Sequence, residues 1–331
     1  MGENSKIEWT EATWNPFAGC SRKSEGCRNC YAEVMTKRLA AMGVAKYQGL
    51  LNEQGRFNGV VRLDEPSLRI PLKWKKPRRI FVNSMSDLFH ENVQDEWIDK
   101  VFAVMALTPQ HTYQCLTKRP ERMVEYIESL KNYQYSIDQY WLGDWVSMGM
   151  PRKQYQEMRG VFVNEPLPNV WLGVSIEDQK TADERIPHLL QIPAKVRFLS
   201  IEPLLGPVDL RFPQAVSRDV KYPEGFEMWS EENRDAWCET QARRIYMARC
   251  EMALHWVIVG GESGSNARPM NLEWAKSIVH QCKAAGVPVF VKQLGRSAID
   301  TDYLRFQTKD KKGGDISEFP VELAIREFPN A

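Results

Sequence analysis

Short apolar runs alternate with stretches of helical periodicity along most of the chain. The runs at residues 7–10, 80–84, 112–116, 170–175, 196–200, 256–259 and 287–291 are short, and several are rich in Val, Ile, Phe or Trp. That is the composition of strands buried on both faces of a parallel sheet. Between them, Tyr31, Val34, Met35, Arg38, Leu39 and Met42 recur at three- and four-residue spacing and predict a helix over 31–42. Trp97, Val101, Val104 and Met105 do the same for 94–107. Residues 120–130 open on Pro120, a good first helical residue, and place Met123, Ile127 and Leu130 on one side. A helix over 271–285 has Asn271 to cap it and Gly286 to stop it. The alternation predicts an α/β fold, either a partial parallel (β/α) barrel or a doubly wound sheet.

Two stretches interrupt the pattern. Residues 131–168 are rich in Tyr, Trp, Met and Gly, and residues 211–250 are charged, with a helix expected over 231–249. Both exceed ordinary connections and read as insertions into a single domain spanning 1–331. With 331 residues, 43% of them hydrophobic, the chain is long enough for a sizeable core. A net charge of +1 excludes a globally basic surface, so any nucleic-acid contact must be a local patch. No apolar run approaches the roughly 20 residues that span a bilayer, and the N-terminus lacks an apolar signal region. The expectation is a cytoplasmic protein with no membrane partner.

Of seven cysteines, Cys115, Cys238, Cys250 and Cys282 are scattered, while Cys20, Cys27 and Cys30 fall within eleven residues. This is no disulfide scaffold; clustered thiols in a reducing compartment bind metal or do chemistry. The spacing is C-x6-C-x2-C with a helix directly after it, and Gly19 and Gly26 let the loop curl. A structural zinc site needs a fourth ligand, and the nearest histidine is His90. Three thiolates and a vacancy suit an iron–sulfur cluster with one open iron, or a catalytic zinc with a bound water.

Polar residues follow nearly every expected strand, where parallel barrels carry their chemistry. They are Asn83, Ser84, Ser86 and Asp87; Thr117, Lys118 and Arg119; Ser175 and Glu177; Ser200 and Glu202; Glu262 and Ser263; Lys292 and Gln293. Gly260-Gly261-Glu262 reads as a tight turn or a backbone-close floor. Residues 69–79 gather six cations around Trp74, which suits either a phosphate backbone or a solvated connection.

Cys27-Arg28-Asn29-Cys30-Tyr31 at the head of a helix resembles the last two cluster cysteines of radical SAM enzymes, especially spore photoproduct lyase and its relatives. The first interval differs, six residues here against the usual three. The start SKIEWTEATWNPFAGC…CRNCYAE is more closely similar to a phage and bacterial family of three-Cys-motif, phage-protein-like proteins. That similarity extends to IFVNSMSDLFHE, LTKRPERM, WLGVSIE, RFLSIEPLLGPVDL and WVIVGGESG.

The resemblance implies a barrel of radical SAM type, a [4Fe-4S] cluster on Cys20, Cys27 and Cys30, and S-adenosylmethionine (SAM) on the fourth iron. It implies reductive cleavage of SAM to methionine and a 5′-deoxyadenosyl radical, fed by a flavodoxin- or ferredoxin-like electron donor. Ser84, Ser86 and Asp87 would meet the methionine ammonium, Lys118 and Arg119 a carboxylate, and Ser175 and Glu202 the ribose or methionine. Cys115 would be a hydrogen-atom donor, or simply a buried small hydrophobe. The phage and photoproduct-lyase likeness points to DNA or a nucleotide as substrate. The competing class is a non-enzymatic cluster- or zinc-binding module that recognises nucleic acid or a partner protein; a third reading is a zinc hydrolase.

Overall fold

The computed structural model describes residues 5–132, 166–212, 230, 254–302 and 304–330. Seven parallel strands form one sheet: β1 (Ala12–Trp14), β4 (Arg79–Val82), β5 (Thr112–Thr117), β6 (Val170–Ile176), β7 (Val196–Ile201), β8 (Trp256–Gly260) and β10 (Val289–Gln293). They lie side by side in chain order, and the sheet curls into a half-barrel. The short strands β2 (Phe17–Ala18) and β3 (Arg62–Leu63) pair with each other, as do β9 (Met270–Asn271) and β11 (Ala298–Ile299). The α-helices among the described residues are α1 (Tyr31–Ala41), α2 (Glu65–Leu68), α3 (Asp95–Leu107), α4 (Pro120–Asn132), α5 (Gln179–Gln191) and α6 (Leu272–Ala285), and short 3-10 turns join several elements.

Strands β6, β7 and β8 are buried throughout, as their largely apolar sequences require. Alternation sends Val170, Leu172, Val174 and Ile176 into the main core that contains the buried faces of α3 and α6. The opposite face is lined by Trp171, Phe198, Trp256, Ile258 and Phe290, with Phe81 and Leu116 packed against them. Gly173 makes room there, because a Cβ would meet the Phe198 ring at 2.6 Å. Helix α6 follows its signals: the Asn271 side chain accepts from the Glu273 N–H, and Gly286 ends the helix at φ 68°. In α5, which no apolar periodicity had announced, Asp178 and Thr181 form a capping box.

One expected strand is displaced. Residues 7–10 form a turn, and the first strand is β1. Trp9 is apolar for another reason: it drops into the inner aromatic cluster, 6.2 Å from Trp256. Phe328 joins that cluster near the N-terminal ends of the strands, stacking on Trp256 at 5.4 Å with the Arg79 guanidinium 4.0 Å above it. Trp256 Nε1 donates to the Glu327 carbonyl at 2.8 Å. This end of the half-barrel is filled with rings. The helix expected over 231–249 and most of both insertions lie outside the described residues. No helix among the described residues is long and apolar enough to cross a membrane.

Candidate functional site

The loop that carries the cysteines leaves the C-terminal end of β1 by way of β2, and the strands opposite it hold it down. Gly19 is at φ 98°, and its backbone approaches so close that a Cβ would lie 2.0 Å from the Val60 carbonyl. Ser86 Oγ donates to the Gly19 carbonyl at 2.6 Å, and Tyr31 Oη to the Ser84 carbonyl at 2.8 Å. Ser24 Oγ donates to Glu177 at 2.8 Å, at the end of β6. Gly26 passes so near Glu177 that a Cβ would stand 2.3 Å from Oε1. Asn29 Nδ2 donates to Glu262 at 2.9 Å, beyond β8, and Arg268 links Glu262 to the Glu25 carbonyl at 2.9 Å. The loop therefore lies across the mouth of the half-barrel, tied to the ends of β4, β5, β6 and β8.

The β5 tie is Arg119, which is buried. Its guanidinium donates to Asp87 at 3.1 Å, to the Ser21 hydroxyl at 2.6 Å and carbonyl at 3.2 Å, to Glu91, and to Cys20 Sγ at 3.9 Å. Asp87 spends its capacity on protein donors: Thr117 Oγ1, Arg119 Nη1 and the N–H groups of Phe89 and Lys118. The Asn92 N–H donates to His90 Nδ1 at 3.0 Å, so the ring proton belongs on Nε2, which donates to Ser21 Oγ at 2.9 Å. Burial, helped by Arg119, keeps the His90 pKa low and the ring neutral. Burial pushes the Glu91 carboxyl up, but the Arg119 and Ser21 hydrogen bonds and the Arg119 charge outweigh it and hold it down to about 2.

That depression has a sign. Glu91 is ionised more readily in the fold than its ordinary 4.5, so it contributes stability above pH 4.5 that is lost as pH falls toward 2. The urea midpoint of Glu91→Gln should trail the unsubstituted protein at pH 7, and the gap should close between pH 4.5 and 2. A gap independent of pH would show that the Arg119 contact is not an ionic one.

All three loop thiols are free and half-buried. Two of the sulfurs meet an N–H donor: Cys20 meets Arg119 and Cys27 the Lys23 amide at 3.5 Å, while Cys30 stands at the N-cap of α1 without a side-chain cap hydrogen bond. Burial, then the Asp87 carboxylate, push the Cys20 thiol up to about 12 against the pull of Arg119; the other two thiols push it the same way. Burial also raises Cys30. Among the described residues no three His, Cys, Asp or Glu side chains converge as ligands of one ion. Ligands of a cluster each hold a different iron and stand farther apart than ligands sharing an ion. Soft donors with N–H support fit that group.

The inward row at the strand ends is polar. On β5 it runs Gln114, Leu116, Lys118, and Lys118 Nζ donates to Ser175 Oγ at 2.7 Å and pairs with Glu177. Burial works against ionisation of Glu177, but Lys118 and Arg185 keep its pKa low. Ser175 pairs with Ser200 across β6 and β7, and Lys292 Nζ sits 3.1 Å from Glu202. Gly260 and Gly261 are packed closely against their neighbours, since Cβ atoms there would lie 2.5 Å from Glu202 Oε1 and 2.4 Å from the Leu294 carbonyl.

Lys118, Ser175 and Glu202 thus share the mouth, whereas Ser86, Asp87 and Arg119 are engaged in holding the loop. Ser84 Oγ donates to Asn15 at 3.1 Å. Cys115 is corrected: it belongs to the main core with Val82 and Val174, on the strand face opposite Leu116, where burial raises its thiol pKa. The cationic run is also corrected. It precedes β4, at the end of the sheet opposite the cysteines, and Trp74 is buried beneath Arg78. Ser21, Asn29, Glu91, Arg185 and Arg268 carry no motif that singles them out. Only folding brings them together.

Neither a curated protein nor a solved structure matches the chain. A family model described as "Protein of unknown function (DUF5131)" matches residues 4–318. Nothing in that match links the family to radical SAM enzymes or to spore photoproduct lyase. The match covers nearly the whole sequence, and the chain belongs to the DUF5131 family.

Proposed function

We propose that the chain is a radical SAM-like iron–sulfur enzyme that reductively cleaves SAM at the mouth of its half-barrel. The observation that carries this reading is the loop itself, with three free thiols laid over the strand ends and N–H donors at Cys20 and Cys27. Cys20, Cys27 and Cys30 would hold a [4Fe-4S] cluster. When bound, the cluster supplies the electron that breaks a carbon–sulfur bond of SAM. The chain's own residues position and shield. Arg119 fixes Cys20 and neutralises part of the thiolate charge. Lys118, Ser175, Ser200, Glu202 and Lys292 offer the hydroxyls and charges that a methionine or ribose moiety needs. The aromatic cluster beneath keeps water from entering from below. The cationic run lies at the other end and lends a DNA substrate no support, so the reading stops at cofactor and reaction type.

Anaerobic reconstitution tests it. The protein should take up iron and sulfide and, once reduced, form 5′-deoxyadenosine from SAM; Cys20→Ala, Cys27→Ala and Cys30→Ala should each abolish cluster uptake. Binding releases thiol protons, so loading should improve as pH rises. Stoichiometric zinc, with no iron uptake and no SAM turnover, would overturn the proposal. A cluster that survives in Cys20→Ala would remove the six-residue arm from the ligand set.

A further inference from the structure

Helix α1 starts at the residue after Cys30, and its outer face is apolar where it should be polar. Tyr31, Val34 and Met42 are 51%, 72% and 67% exposed. They stand at positions i, i+3 and i+11, one stripe along the helix and its C-cap. Val44 and Val60 extend the exposed apolar surface beside it. A soluble protein exposes single apolar side chains freely, but a row of them marks a contact surface.

The charges around this row are of one sign. Within residues 20–62, Arg22 pairs with Glu33, Glu25 with Arg268, and Lys46 with Asp64. What remains is Lys23, Arg28, Lys37, Arg38, Arg56 and Arg62 against the single carboxylate of Glu53. All six cations are exposed, and none of them has an ion-pair partner among the described residues. Arg28 lies between Cys27 and Cys30, Lys37 lies beside the stripe, and Arg38 falls within it between Val34 and Met42. An apolar centre rimmed by cations complements a protein whose own contact face is apolar with an acidic rim.

We propose that the α1 face docks an acidic one-electron carrier protein, which delivers electrons to the group held by the cysteine loop. This rests on the function proposed above. The geometry suits the task, because the face is continuous with the loop: a carrier seated on Tyr31 and Val34 abuts Cys27 and Cys30. Opposed charges speed the encounter and let it dissociate afterwards, and such an association weakens with salt.

The test uses a reduced acidic flavodoxin as the probe and dithionite as a reductant that needs no docking surface. Two variants alter exposed side chains only: Val34→Glu with Met42→Glu, and Lys37→Glu with Arg38→Glu. Reduction by flavodoxin should slow at least tenfold in both, while reduction by dithionite is unchanged; flavodoxin binding at low salt should weaken in parallel. Binding is measured on the protein as isolated, so it decides the docking whether or not iron is taken up. A chain that takes up no iron refutes the cofactor reading separately. Unchanged flavodoxin binding and reduction in both variants would overturn the docking proposal. So would a wild-type dimer in sedimentation that Val34→Glu with Met42→Glu dissolves, because the face would then serve a second copy of the chain.

Discussion

Replacing Arg119 with methionine should destabilise the fold by about 3–5 kcal/mol, the usual cost of removing one partner from a buried ion pair. The side chains of Arg119 and Asp87 are only 5% and 8% exposed. Methionine leaves the Asp87 carboxylate buried with three donors, those of Phe89, Thr117 and Lys118, which places the loss at the lower end of that range. Ser21 and Glu91 lose their partner in the same step, so the loop segment around Cys20 should loosen. Two measurements read this: the urea midpoint, and the alkylation rate of Cys20 under native conditions, which should rise. Arg119→Lys keeps the charge but lacks the fork that spans Asp87, Glu91 and Ser21 together, and should fall between. In the double variant with Asp87→Asn, the second change should cost less than it does alone, as it must for residues in one network. Strict additivity, or a loss below 1 kcal/mol, would mean that the network does not act as a unit.

Trp256→Ala should cost about 3–5 kcal/mol through the cavity it opens. The indole is fully buried and touches Trp171, Phe198, Phe290 and Phe328 as well as Trp9. It also leaves the Glu327 carbonyl without its donor. Trp256→Phe should recover most of the loss, because the ring contacts matter more than the single hydrogen bond. The native alkylation rate of Cys20 should barely move, since this cluster lies at the far end of the strands from the loop. A cysteine loop that loosens in Trp256→Ala would show that floor and mouth are mechanically coupled.

Much of the fold could be read from the chain because its signals are local. Buried parallel strands such as β6 and β8 are predominantly apolar runs, and α6 is bracketed by Asn271 and Gly286. Residues 7–10 misled because an apolar tryptophan reports burial, not conformation. Trp9 is buried from a turn, and the short strand after it carries Thr13 between Ala12 and Trp14. Cys115 misled through parity. Sharing a face with Thr117 is correct, but period-two alternation cannot say which face looks inward until the neighbouring strands are in place. That the three cysteines share one loop was legible from spacing alone. Their supports were not, because Glu177, Glu262, Arg268 and Arg119 are brought to the loop only by the stacking of the sheet.

The long sequence separations of those supports also set the order of assembly. Ser21 reaches 70 residues ahead to Glu91, Ser24 reaches 153 to Glu177, and Asn29 reaches 233 to Glu262. Contacts so distant in the chain form only after the intervening segments have collapsed, because closing long loops is entropically slow. The cysteine segment precedes these partners in the chain, yet it takes its final shape only once they are in place. During that interval its thiols are open to oxidants and to stray soft metals. Closure of the loop is therefore a late event in folding, and its thiols are most accessible before the sheet is complete.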